Sequence, residues 1–174
     1  MRKVFSAVLL MCMVALLFPL PASAHATRPI PVSGVFDYTF TIIYDRVIGD
    51  KILIFATEDE LWQGSFSGTA EAVFIVIIFS LDLWKVWLRT TFTGTVDGKY
   101  GTMVIQLIGE RTYWDEDTFW WSGHWRIIHG TGELRNIHGQ GVWWGPGYED
   151  TGGEIPDVPG DRPDIYYEGE IYFN

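Results

Sequence analysis

The chain has 174 residues and nine tryptophans, and its 12 Lys/Arg against 22 Asp/Glu give a formal charge of −10. That length is one domain's worth and supports a substantial core without covalent staples. The acidity argues against nucleic acid and anionic membrane as partners, and a single cysteine, Cys12, excludes an internal disulfide.

Residues 1–24 begin with Arg2 and Lys3, run through an apolar stretch, and end in Ala22-Ser23-Ala24. A basic start, a short apolar core and small residues before the cut describe a secretory signal peptide. The expectation is therefore a secreted or periplasmic protein starting at His25, with no membrane segment after cleavage. Residues 25–33 are expected to be a flexible N-terminal segment, and 34–174 a single domain.

From there the sequence alternates with period two. Phe36, Tyr38, Phe40, Ile42 and Tyr44 share one parity, with Asp37, Thr39 and Thr41 between them. Alternation with aromatic and β-branched residues is a strand signal. It recurs over 51–57, 69–80, 83–95, 99–112, 118–129, 139–144 and 165–173, and no segment of helical length is amphipathic. An all-β fold of about eight antiparallel strands follows, a sandwich or a barrel. In 69–80 both parities are apolar, which predicts a strand covered on both faces, with a homo-oligomer contact as one means of covering it.

Asp97-Gly98 is a type I′ turn signal, because both central positions must tolerate positive φ. A hairpin centred there pairs Phe92 with Met103, Leu88 with Leu107, Lys85 with Glu110 and Arg89 with Gln106. A second hairpin turning at Asp115 pairs Met103 with Ile127, Ile105 with Trp125, Leu107 with Gly123 and Gln106 with His124. Both put the same apolar face inward. Asp115, Glu116 and Asp117 could also be weighed as a Ca²⁺ loop, but their spacing is not that of an EF-hand, and a solvated acidic turn explains them.

The stretch 129–141, HGTGELRNIHGQG, is the richest in glycine and histidine. It lacks the Gly-Lys-Ser/Thr of a Walker loop, and Arg135 stands where a dinucleotide fingerprint needs its third glycine. His129, Glu133 and His138 lack the spacing of a zinc motif. There is no Gly-x-Ser-x-Gly elbow, so no catalytic residue, metal or cofactor is assigned. The remaining reading is structural. Gly130 and Gly132 end a strand, 133–137 makes one short helical turn with Leu134 and Ile137 facing the core, and Gly139 and Gly141 open the next strand at a close backbone approach. Such a turn can plug one end of a barrel. Residues 145–164, rich in Gly, Pro and acid, predict a long loop.

The run Gly130-Thr131-Gly132-Glu133-Leu134, followed by 136–141, resembles the signature of the allene-oxide-cyclase-like barrels. Phe92-Thr93-Gly94-Thr95-Val96 and Gly101-Thr102 resemble the same group over 34–174. It includes plant allene oxide cyclases, dirigent proteins and, nearest to this sequence, a bacterial family of domains of unknown function. The resemblance implies an eight-stranded antiparallel β-barrel with a hydrophobic lumen, often oligomeric. The plant enzymes' catalytic positions find no match here.

An interior of that kind makes Tyr38, Tyr44, Trp84, Leu88, Phe92, Met103, Ile105, Trp121, Trp125 and Tyr167 the candidate lining of a lumen that holds an apolar small molecule, the tyrosines serving as polar handles. No acid–base pair can be placed inside from the sequence. Three roles remain open: non-catalytic binding of an apolar ligand or a structural module, a cyclase or isomerase shaping an apolar substrate, and carbohydrate binding. The last would use Trp120 and Trp144, the outward members of the pairs Trp120-Trp121 and Trp143-Trp144.

Overall fold

The computed structural model describes residues 28–113, 119–147 and 165–174. Eight antiparallel strands follow one another around a closed barrel. They are β1 (Ile30–Ile48), β2 (Lys51–Gly64), β3 (Phe66–Ser80), β4 (Leu83–Val96), β5 (Lys99–Tyr113), β6 (Phe119–Gly132), β7 (Ile137–Gly147) and β8 (Ile165–Phe173). The segment read as a signal peptide, the acidic turn at 115–117 and most of the expected loop lie outside the described residues. The first three positions of that loop, 145–147, belong to β7.

Local chemistry sets the turns. Asp97 and Gly98 take φ of 50° and 74°, the left-handed values a type I′ turn demands. The β4–β5 register is the one expected: Phe92 faces Met103, Leu88 faces Leu107, Lys85 faces Glu110 and Arg89 faces Gln106. The β5–β6 register is corrected. Ile105 faces Ile127, Leu107 faces Trp125 and Gln106 faces Arg126, each two positions from the expected partner. The strands stop at Tyr113 and Phe119, so the connection is longer than the turn assumed. A slip of two preserves parity, and the inner face therefore survives the error.

The predicted helical turn is also corrected. Residues 133–136 form overlapping turns, closed by Leu134 N to Thr131 O (3.1 Å) and Ile137 N to Leu134 O (3.0 Å). Leu134 and Ile137 are buried beneath them. Glu133 clamps the corner to the β4–β5 hairpin, its carboxylate accepting from Tyr100 N at 2.9 Å. A Cβ on Gly101 would come within 3.1 Å of Leu134, so the plug sits directly against the barrel wall.

Above this plug, aromatic rings fill the lower barrel. Phe36 stacks on Trp62 at 4.4 Å, Phe66 on Tyr167 at 4.9 Å, and Trp62 lies 5.0 Å from Tyr167. Trp125 spans the β6–β8 side. A Cβ on Gly141 would lie 2.6 Å from its Nε1 and one on Gly169 2.6 Å from its ring, so the glycines vacate the volume the indole occupies.

Two features mark the opposite end, the mouth. β1 pairs with β8 only from Ile30 to Phe36, so from Asp37 onward its paired neighbour among the described residues is β2. Along the inner face of β1 the burial relaxes from Phe36 at 2 % through half-buried Tyr38 and Phe40 to Ile42 at 51 % exposure. Outside, an apolar row runs in register across five strands: Tyr44, Phe55, Ile75, Trp87 and Ile108.

Candidate functional site

The interior is not wholly apolar. β2 runs on to Gly64, seven residues past its expected end, and its inward parity carries Ala56, Glu58, Glu60 and Trp62 in succession. Glu58 and Glu60 are 7 % and 3 % exposed. Across the β2–β3 ladder they face Ala72 and Ala70, side chains small enough to leave room for carboxyl groups. These are the inward acids that the sequence alone could not place.

Glu60 is held on both oxygens. Trp62 Nε1 donates to Oε2 at 2.6 Å and Thr90 Oγ1 donates to Oε1 at 3.0 Å. Burial pushes its pKa from 4.5 up to about 7, against the opposing pull of hydrogen bonds with Trp62, Thr90 and the Glu58 side chain. Glu58 and Glu60 share a hydrogen bond, so their titration belongs to the pair rather than to either carboxyl. Tyr38 is the cross-strand neighbour of Glu60, and Phe40 that of Glu58. Ala56, the next inward residue toward the open end, has no exposed surface, so the pair lies beneath that end within the packed interior.

The wall formed by β4 to β7 carries donors. Arg111 is 2 % exposed, and its guanidinium lies 4.1 Å from the Trp84 ring centroid, a cation–π contact in a dry setting. Among the described residues, the buried indole N–H groups of Trp84 and Trp143 meet no acceptor. Trp143 reaches inward across Gly123 to lie against Gly109.

The lumen candidates divide by height. Phe92, Met103 and Ile105 have no exposed surface at all, and Tyr167 and Trp125 have 1 % and 2 %. These five are packed core, and Trp125 also backs a depression on the outer face between its flanking glycines. Tyr167 holds the lower barrel shut, its hydroxyl accepting from Phe66 N at 2.8 Å, and burial raises its pKa to about 12. Leu88 packs just below the mouth. Tyr38, Trp84 and Trp121 line the mouth itself and are half-buried. Tyr44 is corrected: the bulge between Ile42 and Tyr44 turns it outward, where it stacks on Phe55 at 5.3 Å. Sequence reasoning missed Glu58, Glu60, Thr90 and Arg111. The missed signal was continuity of parity from Ile54 and Ala56 through the acids to Trp62.

The glycine-rich stretch is a structural corner. His129 is exposed and His138 stacks on Tyr172 at 5.2 Å. Among the described residues no three His, Cys, Asp or Glu side chains gather to hold a metal ion. Trp144 points outward and stacks on Tyr166 at 6.0 Å, with ring planes 15° apart. Trp120 lies on the same outer face, one diagonal step away.

No family model matches the sequence, and no curated protein does. Among solved structures, a protein of unknown function from the DUF3224 family of Shewanella oneidensis superposes with a TM-score of 0.63 at 18% identity, covering 84% of this chain and 98% of that one. By its architecture and this likeness, the chain is similar in fold to a bacterial barrel domain of unknown function.

Proposed function

We propose that the protein is an exported binding barrel, of allene-oxide-cyclase-like ancestry, whose mouth takes an apolar small molecule. The observation that carries this is the Glu58–Glu60 pair buried beneath the apolar open end of the barrel. A carboxyl held near pKa 7 presents a hydroxyl donor to a ligand as readily as a charge, and apolar walls with a few convergent polar groups are what small-molecule sites are made of. The buried indole donors of Trp84 and Trp143 add hydrogen-bonding capacity on the facing wall.

Native mass spectrometry of the purified chain tests the reading. The expected result is a co-purifying small molecule that is lost in Leu88→Trp, whose larger ring fills the space under the mouth. A clean apo mass for the parent would sink it. Sequencing the N-terminus of the exported chain tests cleavage after Ala24.

The same Glu60 favours a second reading, an isomerase or cyclase, since an acid poised near the working pH can both give and take a proton. Glu60→Gln separates the two: a binder keeps its ligand with the amide, whereas an isomerase keeps the ligand and stops turning it over.

A further inference from the structure

We propose that the outer face of β5, β6, β7, β8 and β1 binds a neutral carbohydrate chain, at a site separate from the barrel mouth. A trough of about 1090 Å³ crosses these strands. Two rows of outward side chains, in register from strand to strand, form its floor. The first runs Gln106, Arg126, Gln140, Glu170. The second runs His124, Val142, Glu168, Ser33. Four interstrand steps make the trough roughly 19 Å long, the span of an oligosaccharide rather than of one sugar.

The next row outward holds Trp144 beside Tyr166, the near-parallel pair already described. In a stacked pair each ring keeps one face turned away from its partner, and Tyr166 is 42 % exposed. An aromatic face beside a floor of planar amides, carboxylates and a guanidinium suits a pyranose. Its apolar C–H face packs on a ring, while its hydroxyls act as donor and acceptor at once. Arg126 is already oriented for this, since its Nε donates to Gln106 Oε1 at 2.8 Å.

Other ligand classes fit worse. Glu168 and Glu170 on an acidic chain repel polyanions. The strands under the trough pair with one another all the way round, so there is no open edge for a peptide to extend. The row Gln106, Arg126, Gln140 and Glu170 runs along the trough, and a wholly apolar ligand would strip water from it without replacing the hydrogen bonds.

The test is affinity electrophoresis of the purified chain through gels containing hydroxyethylcellulose, laminarin, galactomannan or soluble starch. Retardation in at least one gel is expected. Trp144→Ala and Gln140→Ala should each weaken that binding at least tenfold, while Trp144→Phe keeps most of it. Gln140 is exposed and makes no core contact, so its variant carries the test even where Trp144→Ala lowers stability. Glu58→Gln, inside the barrel, should migrate as the parent does, which separates this site from the mouth. Free migration in all four gels, or unchanged retardation of Gln140→Ala, would overturn the proposal.

Discussion

Replacing Glu60 with glutamine should raise stability by an amount that grows with pH. A carboxyl moved from 4.5 to about 7 by burial costs the folded state about 3 kcal/mol once both states are ionised, at about 1.36 kcal/mol per pKa unit. Below the unfolded value both states hold the proton and nothing is lost. Between the two values the folded state keeps a proton that the unfolded state has released, so stability falls as pH rises. Above the folded value the full penalty stands. Glutamine never ionises and mimics the protonated acid: its oxygen can accept from Trp62 Nε1 while its amide N–H donates to Thr90 Oγ1. Glu60→Gln is therefore about as stable as the parent at pH 4 and about 3 kcal/mol more stable at pH 9, the gap opening between the two pKa values. Urea denaturation of both proteins across that range reads it out, and the chain's overall acidity cancels in the difference. A parent-minus-variant difference that stays flat from pH 4 to 9 would refute the burial argument.

Four further outcomes follow from packing. Leu134→Ala removes the plug residue, which has no exposed surface, and should cost about 2–5 kcal/mol, measured as a lower urea midpoint. Gly141→Ala forces a methyl to within 2.6 Å of Trp125. It should cost about 3 kcal/mol and alter the near-ultraviolet circular dichroism, because Trp125 Nε1 would lose its bonds to Val142 O and Glu168 O. Tyr167→Phe strands the buried Phe66 N–H and should cost about 1–3 kcal/mol, with an unchanged denaturant slope. Ile75→Glu places a charge in the middle of the outer apolar row. If that row is where copies of the chain associate, sedimentation should show the parent as an oligomer and the variant as a monomer; a monomeric parent would leave the row as open surface.

The fold was largely legible in the sequence because period two and two turn signals specify a meander from within. Asp97-Gly98 fixed one register outright, since a two-residue turn leaves no freedom. The second hairpin slid by two because its longer connection carries no such constraint, and parity tolerates an even slip. The corner at 129–141 was legible because glycines mark where Leu134 and Trp125 need room. The acids on β2 were hidden by a general rule. Charged residues usually face water, so Glu58 and Glu60 look like the end of a strand rather than its interior. Tyr44 was misplaced by the bulge at Ile43, which reverses the face of every later position on β1 and leaves no compositional trace.

That hidden pair bears most directly on function. The neighbouring inward positions are Ala56, Ala70, Ala72 and Thr90, all buried, so leucine in place of the acids together with these small residues could complete an ordinary apolar core. Such a core would be no less stable, because a buried carboxyl must be compensated for what it loses on leaving water. The actual arrangement does compensate it, with an indole and a hydroxyl aimed at its two oxygens. The acid shares its register row with Ala70, Phe92 and Met103, so it is set into the packed interior itself. Two carboxyls kept where leucine would pack, each needing partners to offset its lost hydration, are what the proposed binding role would use and a filled core would not.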